Sequence, residues 1–280
     1  MTLPRMSRPI AALRDRYTVV VIGSGYGGAI MASRLARAGQ QVCLLERGRE
    51  LHPGEFPRTS EEAGEQLQMV DGPERVGDPR NLFDVHIGKD MNVLSGCGLG
   101  GTSLINANVA LRPTPAAMAD ERWPSALRAD TARLDEGFRR AEEMLCPSTY
   151  PDSYPPLDKV AQLRRSAGGA PFALTPINVT FTTGLNRVGV HQEACNGCGD
   201  CVTGCNYGSK NTLLMNYLPD AVQHGAEVFT EVEVRWIERH GDGWIVRYQP
   251  LGLGRDGFEA APLSLRADIV VVAAGTLGSN

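Results

Sequence analysis

Val20-Val-Ile-Gly-Ser-Gly-Tyr-Gly-Gly28 is the stretch of sequence that decides the fold. It continues an apolar run that begins at Val19, and it satisfies the pattern G-x-G-x-x-G with Gly23, Gly25 and Gly28. The run predicts a parallel strand buried on both faces, and the glycines predict a tight turn into a helix. Because Gly25 has no side chain, a pyrophosphate can approach the backbone there, while Gly28 permits close contact between helix and strand.

A second strand and an acidic residue follow at the spacing that a dinucleotide-binding unit requires. Gly39 ends the predicted helix, Val42-Cys-Leu-Leu45 forms the next strand, and Glu46 stands at the end of that strand. A carboxylate in this place accepts hydrogen bonds from ribose hydroxyls. The order of strand, helix, strand and acid favours dinucleotide binding over a purely steric use of glycine. It does not distinguish FAD from NAD.

Two later segments extend this unit to a larger α/β domain. Gly96-Cys-Gly-Leu-Gly-Gly-Thr-Ser103 is either a flexible surface loop or a loop whose backbone lies against a ligand. Residues 227–249 alternate like a hairpin that turns at residues 241–243, and Ile269-Val-Val-Val272 predicts another buried parallel strand. The predicted fold class is therefore α/β: a doubly wound, Rossmann-like parallel sheet with a β-meander and an inserted region.

Composition and charge exclude several classes of protein. The chain has 280 residues, 42% of them hydrophobic, with 28 basic and 32 acidic residues and a net charge of −4. This balance argues against a nucleic-acid partner, and no apolar run approaches the roughly 20 residues needed to span a bilayer. Residues 1–16 form a basic arm that is not followed by the apolar h-region of a signal peptide, so they predict a mobile arm rather than a secretory signal. The expected location is the cytoplasm.

Four of the seven cysteines lie within eleven residues. Cys195, Cys198, Cys201 and Cys205 have the spacing C-x2-C-x2-C-x3-C of a bacterial ferredoxin. Asn206 replaces the usual proline, and there is no second run of this kind. A [4Fe–4S] cluster bound by all four is the first hypothesis, a structural zinc site the second and a pair of labile disulfides the third. Free, unliganded thiols are the alternative to all three.

Three motifs in this order resemble the FAD-dependent GMC oxidoreductases. They are residues 20–28, Gly98-Leu-Gly-Gly-Thr-Ser-Leu104 and Val271-Val-Ala-Ala-Gly-Thr-Leu-Gly278. Within the family the chain is most similar to the bacterial cholesterol oxidase-like branch, which includes members with a cysteine-rich segment. The resemblance covers residues 17–280.

The resemblance implies a set of FAD contacts. Gly23, Gly25 and Gly28 would hold the pyrophosphate, and Glu46 the adenosine ribose. The remaining implied contacts are the flavin side at Gly100, Gly101 and Asn106, the adenine at the backbone of Val234, and the returning strand at Ala274 and Gly275.

The resemblance also implies a division of the chain. The basic arm spans residues 1–16, and the first part of the FAD-binding domain spans 17–112. An insertion or partial substrate domain with the cysteines spans 113–205, and the second part of the FAD-binding domain spans 206–280. The family's catalytic histidine lies in a C-terminal half, and none of the five histidines here matches its motif. We therefore expect an N-terminal fragment with no catalytic residue of its own.

The implied activity is oxidation of the CH–OH group of an alcohol, such as a sterol or another bulky alcohol. A hydride would pass to flavin N5 while a base accepts the hydroxyl proton. Oxygen, or another electron acceptor through an iron–sulfur cluster, would then reoxidise the flavin. An electron-transfer module with flavin and cluster, or a non-catalytic truncated fragment, are the alternatives. No integral membrane segment is expected.

Overall fold

A six-stranded sheet forms the centre of the molecule. The computed structural model describes residues 4–255 and 260–279 of the chain. The strands in the described part are β1 (Arg16–Ile22), β2 (Val42–Leu45), β3 (Leu67–Asp71), β4 (Glu74–Val76), β5 (Phe83–Ile87), β6 (Val93–Gly96), β7 (Gly184–Leu185), β8 (His191–Gln192), β9 (Glu227–Phe229), β10 (Val232–His240), β11 (Gly243–Pro250) and β12 (Leu263–Val272). The α-helices there are α1 (Tyr26–Arg37), α2 (Ser60–Glu65), α3 (Pro115–Met118), α4 (Ser125–Ala129), α5 (Thr131–Leu145), α6 (Asp158–Ser166), α7 (Tyr217–Gln223) and α8 (Gly275–Gly278).

The strand order of the main sheet confirms the predicted fold class. The order is β10-β11-β12-β1-β2-β9, in which β12, β1, β2 and β9 are parallel. β10, β11 and β12 are antiparallel neighbours and form the meander. The chain is thus a Rossmann-like α/β sheet with a β-meander, and the helices α1 and α7 pack against each other beside it.

β1 is buried on both faces, as its apolar run predicts. Val19 and Val21 belong to the core that also contains the small residues of α1, whereas Val20 belongs to a second core with Cys43 and Leu45 of β2. The side chains of a strand alternate between its two faces, so a strand between two cores needs an uninterrupted apolar sequence.

The return strand β12 departs from this pattern. It is a parallel strand, as predicted, and the structure pairs it with β1, with Val271 opposite Val21. However, Ile269 is 50% exposed and Val272 is 45% exposed, so the prediction of a fully buried strand was wrong at these positions. The apolar sequence alone gives no information on whether another element covers the strand.

Residues 67–96 form a second sheet that the sequence did not predict. Its order is β4-β3-β5-β6, with β3 and β5 parallel. Every residue of β4 is exposed, so this strand lacks the apolar alternation that signals a strand in sequence. The buried Gln68 side chain instead donates to the backbone oxygen of Asn81, at 2.7 Å, inside this region.

Residues 211–224 combine a 3-10 turn with a short helix. The 3-10 turn at Leu213–Met215 is followed by α7, whose first amide, that of Tyr217, donates to the Asn216 side chain at 2.7 Å. Pro219 lies in the first turn of α7, where a helix does not use the amide that proline lacks. The predicted domain boundaries stay a prediction.

No helix within residues 4–255 and 260–279 is long and apolar enough to cross a membrane. The longest of them, α5, has fifteen residues.

The basic arm is docked on the domain, so the prediction of a mobile arm was wrong for its described residues. The amides of Met6 and Ser7 donate to the Glu50 carboxylate at 2.7 and 2.8 Å. The amide of Arg8 donates to the Val228 oxygen at 2.8 Å, beside the edge strand β9. His52 also contacts the Glu50 carboxylate, with Nε2 2.7 Å from Oε1. The arm is thus held by one buried carboxylate and by one edge of the sheet.

The ionisation of Glu50 makes this docking dependent on pH. Burial opposes the charge, but the hydrogen bonds from His52, Met6 and Ser7 outweigh it and lower the pKa of Glu50 to about 2. A carboxyl whose folded pKa is depressed contributes stability above its unfolded pKa of about 4.3, and this contribution is lost as the pH falls towards 2.

We therefore expect Glu50→Gln to lower the free energy of unfolding by about 1–3 kcal/mol at pH 7, because it removes hydrogen bonds to a charged acceptor. The difference from wild type should shrink between pH 4.5 and pH 2, as measured by urea unfolding. The exposed Glu61→Gln is the control and should be neutral. A difference that is constant over this pH range would contradict the assignment.

Candidate functional site

A cleft of about 800 Å³ opens where β1, β2 and β12 end. Ligands of open α/β sheets bind at the carboxyl ends of the parallel strands, and a cavity of this size lies within the range of small-molecule sites. The cleft lies between the β1–α1 turn, the end of β2, the glycine loop at residues 96–103 and the segment after β12. β10 closes it on a further side through residues 232–237.

Gly28 lets the first turn of α1 press against the preceding loop. A Cβ built on Gly28 would lie 1.9 Å from the backbone oxygen of Gly23. No flexible side chain is available to move away, since the obstacle is backbone. The geometry gives Gly28 the role that the sequence predicted for it in helix–strand packing.

The glycine loop packs equally closely against the residues after β2 and against the dinucleotide turn. A Cβ on Gly48 would lie 2.2 Å from the amide nitrogen of Gly98, and one on Gly101 would lie 2.8 Å from the Cα of Gly25. Gly25 itself has no atom within 4 Å of a built Cβ. Its open side borders the cleft, which is the space that a pyrophosphate would need.

Ser24 is the centre of the polar contacts beneath the cleft. Its amide and hydroxyl donate to the Glu46 carboxylate at 3.0 and 2.6 Å, and its hydroxyl accepts from the amide of Gly100 at 2.9 Å. The second oxygen of Glu46 accepts from the amide of Gly48 at 2.8 Å. Glu46 is buried, and its carboxylate joins the dinucleotide turn to the end of β2, while the Ser24 hydroxyl joins the glycine loop to both. The sequence motif does not identify Ser24, because serine stands at a position where the pattern allows any residue.

The structure brings most of the sequence-predicted residues to this cleft. Those that line it are Gly23, Gly25, Glu46, Gly101, Val234, Ala274 and Gly275.

Three predicted residues stand behind the lining. Gly28 packs on Gly23, and Gly100 has a φ of 110° and holds Ser24 through its amide. The Asn106 side chain donates to the hydroxyl of Tyr26 at 2.9 Å, on the first residue of α1. These contacts give the three residues structural roles beside the cleft, and their contacts with a cofactor stay a prediction.

Charged side chains and one thiol complete the lining. The guanidinium of Arg47 pairs with the buried carboxylate of Asp84. Cys97 is also buried, and burial raises the pKa of its thiol to about 12. The thiol therefore stays protonated at neutral pH and contributes to the cleft as a small apolar group.

The cysteine segment, residues 195–205, lies apart from the residues of this cleft. Its four cysteines line one small cavity, but within residues 4–255 and 260–279 no group of three or more His, Cys, Asp or Glu residues is arranged to hold a metal ion. Burial raises the pKa of the Cys195 and Cys198 thiols. The predicted cluster therefore finds no support in this arrangement.

Lys210 is a buried cation that no sequence motif marked as functional. Its Nζ donates to the backbone oxygens of Leu104, Asn106 and Cys201, at 3.0, 2.8 and 2.8 Å. Burial lowers its pKa to about 8, which the nearby Cys201 and Cys205 oppose. The signal in the sequence was only that this lysine follows the cysteines closely.

A strand–turn–helix unit with a glycine-lined cleft at the sheet edge and a buried acid after β2 defines a dinucleotide-binding α/β protein. The sequence model of the GMC oxidoreductases matches residues 20–280, and the chain belongs to this family. GMC oxidoreductases bind FAD.

Several characterised proteins are similar to this chain. A cholesterol oxidase of Mycobacterium tuberculosis is 32% identical over 286 residues, which cover 96% of this chain and 47% of that protein. A cholesterol oxidase of Acinetobacter baumannii is 27% identical, with 94% and 49% covered, and the long-chain-alcohol oxidase FAO1 of Arabidopsis thaliana is 24% identical, with 94% and 34% covered. The chain thus spans about half the length of the cholesterol oxidases that it matches.

A solved structure shows the same fold. Pyridoxine 4-oxidase from Mesorbium loti superimposes with a TM-score of 0.52 at 15% identity, covering 92% of this chain and 49% of that one. At this identity the likeness concerns the fold alone.

The different surroundings of Gly25 and Gly28 predict different effects of the same substitution. Gly28→Ala should lower the free energy of unfolding by about 2–4 kcal/mol, because its Cβ would overlap backbone. Gly25→Ala should change it by less than about 1 kcal/mol, since the Cβ meets open space at a φ of −63°. Chemical denaturation of the cofactor-free chain measures both, and equal losses would contradict the assignment.

Proposed function

We propose that this chain forms the FAD-binding part of an oxidoreductase that acts on the CH–OH group of alcohols. The observation that carries the proposal is the glycine-lined cleft, which is lined by both the open side of Gly25 and the buried Glu46. Membership of the GMC family supports FAD as the ligand of this cleft.

The residues of the cleft fit this cofactor. Gly23 and Gly25 offer backbone without side chains at the start of α1, where the helix dipole favours a pyrophosphate. Glu46 offers a buried carboxylate for ribose hydroxyls, and Val234 offers strand backbone for the adenine. Gly101 and Thr102 would face the flavin side, and Ala274 and Gly275 also line the cleft.

The chain positions the residues of the cleft before a ligand binds. The polar contacts of Ser24 hold Glu46 and the glycine loop in place before a ligand arrives, so little ordering is required on binding. When bound, FAD supplies the redox chemistry by accepting electrons from the alcohol carbon. The residues of this chain orient the cofactor and exclude water from its binding site.

For the substrate, we propose a bulky apolar alcohol such as a sterol. The cholesterol oxidases and the long-chain-alcohol oxidase among the similar proteins support this class. The proposal assigns no catalytic base to this chain, because none of its five histidines has the family's motif. It also places the working protein in the cytoplasm, on the composition of the chain alone.

The proposal includes no electron path through the cysteine segment. A [4Fe–4S] cluster is supported only by the ferredoxin-like spacing of Cys195, Cys198, Cys201 and Cys205. The described side chains do not form a metal site, so the segment as it stands does not fit a cluster. Iron and sulfide analysis of anaerobically purified protein addresses this point independently of the cleft.

Titration with FAD tests the cleft directly. Wild-type protein should bind one FAD per chain and quench its fluorescence. Gly25→Val should abolish binding, because the branched side chain would fill the open space at the turn. The control is Gly137→Val, on the exposed helix α5, which should bind as wild type does. FAD binding by Gly25→Val protein as strong as that of wild type would contradict the assignment of the pyrophosphate to this turn.

The reaction class requires a second measurement. Bleaching of the flavin absorbance on anaerobic mixing of the FAD-loaded chain with a 3-hydroxysteroid or a long-chain alcohol would support alcohol oxidation. Bleaching by dithionite but by none of the alcohols would show that this chain binds FAD without oxidising alcohols by itself, which is the result expected for the electron-transfer module and for the truncated fragment. The FAD titration and the anaerobic mixing experiment together separate cofactor binding from alcohol oxidation.

A further inference from the structure

Lys210 is the one lysine of the three in the chain that is buried, and it is only 2% exposed. All three hydrogen-bond donors of its ammonium group have backbone oxygens as partners. A buried ammonium is costly unless such partners surround it. A lysine that served only to fill space could be replaced by an apolar side chain without this cost, so the position of the charge calls for a role.

Two of the three bonds reach the segment that follows the glycine loop, behind the lining of the cofactor cleft. They end on the oxygens of Leu104 and Asn106, which flank the end of the 3-10 helix Gly101–Leu104. The first residues of that helix line the cleft, and the Asn106 side chain holds Tyr26 at the start of α1. A shift of the ammonium group would therefore displace the backbone next to both the glycine loop and the dinucleotide turn.

The third bond reaches the cysteine segment, at the oxygen of Cys201. The segment is held on its other side as well, because the Asn206 side chain accepts from the amides of Gly54 and Phe56 at 2.9 and 3.0 Å. A Cβ on Gly204 would lie 2.1 Å from the Phe56 ring, so this contact is tight. A group added at this end of the segment, on Cys205 beside Gly204, therefore has little free space and should shift the backbone.

We propose that Lys210 is a positioning residue that links the cysteine segment to the glycine loop, so that FAD binding and the reactivity of the thiols at Cys195–Cys205 influence each other. The inference rests on the proposed binding of FAD in the cleft. FAD would contact the glycine loop. The oxygens of Leu104 and Asn106, just after this loop, hold the Lys210 ammonium group, which in turn holds the Cys201 backbone. Because the coupling between the two sites acts in both directions, modification of the thiols should also weaken FAD binding.

The test measures both directions of this linkage. The thiols are alkylated with N-ethylmaleimide in the presence and absence of saturating FAD, and peptide mass mapping gives the rate at each cysteine. This resolution separates the cysteine segment from Cys97, which lines the cleft and which FAD would cover directly. Wild-type protein should show about tenfold slower alkylation of residues 195–205 with FAD. Protein alkylated at residues 195–205 but not at Cys97 should in turn bind FAD more weakly than unmodified protein.

Lys210→Met removes the three donors at nearly unchanged side-chain volume. In this variant the alkylation rate of residues 195–205 should be nearly the same with and without FAD. Lys159→Met, on the exposed face of α6, is the matched control and should behave as wild type. If Lys210→Met does not fold, as judged by circular dichroism, the two wild-type measurements still decide, because the inference requires both effects there.

The outcomes distinguish the inference from the function on which it rests. Failure of wild-type protein to bind FAD overturns the proposed function and the inference with it. FAD binding that leaves the alkylation of residues 195–205 unchanged, or equal protection in wild type and Lys210→Met, overturns the role of Lys210 alone. Protection in wild type that Lys210→Met loses supports it.

Discussion

The close approach of backbone to backbone at glycine is the constraint on which the site depends. The dinucleotide turn, the end of β2 and the glycine loop pack so closely that a side chain would not fit at Gly28 or at Gly48, because its Cβ would overlap the neighbouring backbone. Ser24 and Glu46 then join the same segments by hydrogen bonds. The cleft is therefore formed by the packing of the domain itself, and among Gly23, Gly25 and Gly28 of the dinucleotide turn only Gly25 faces open space, where a ligand fits.

Outside the cleft, polar contacts between distant parts of the chain hold the less regular regions. Glu50 binds the N-terminal arm, Lys210 binds the cysteine segment, and Asp220 of α7 accepts from Ser33 of α1 at 2.5 Å. In each case a buried charge has several partners, as a charge in a low-dielectric interior requires. These regions depend on a few specific groups more than on apolar area, so single substitutions should affect them strongly.

The parts of the fold that local chemistry determines could be predicted from the sequence. The turn at Gly23–Gly28, the strands on either side of α1 and the acid at Glu46 follow from residue types within thirty positions of one another. Ser24 and Lys210 could not be identified, because their roles depend on partners far along the chain. The sheet of β3 to β6 escaped notice because its strands are short and partly polar.

The cysteine segment and the arm show a further limit of sequence reasoning. Spacing places four cysteines near one cavity, but it does not fix the directions of their side chains. A run of arginines at Arg5, Arg8 and Arg14 suggests mobility, whereas the acceptors that hold the arm lie on Glu50, Glu55 and Glu227. Both outcomes are set by tertiary neighbours, which charge counts and spacing do not report.

The central claim is that the glycine-lined cleft is the binding site of FAD. A crystal structure of the chain grown with FAD is the most direct measurement. It should show the pyrophosphate over the backbone of Gly23 to Gly25 and a ribose hydroxyl within hydrogen-bond distance of the Glu46 carboxylate. An FAD molecule bound elsewhere, with this cleft holding only solvent, would contradict the claim.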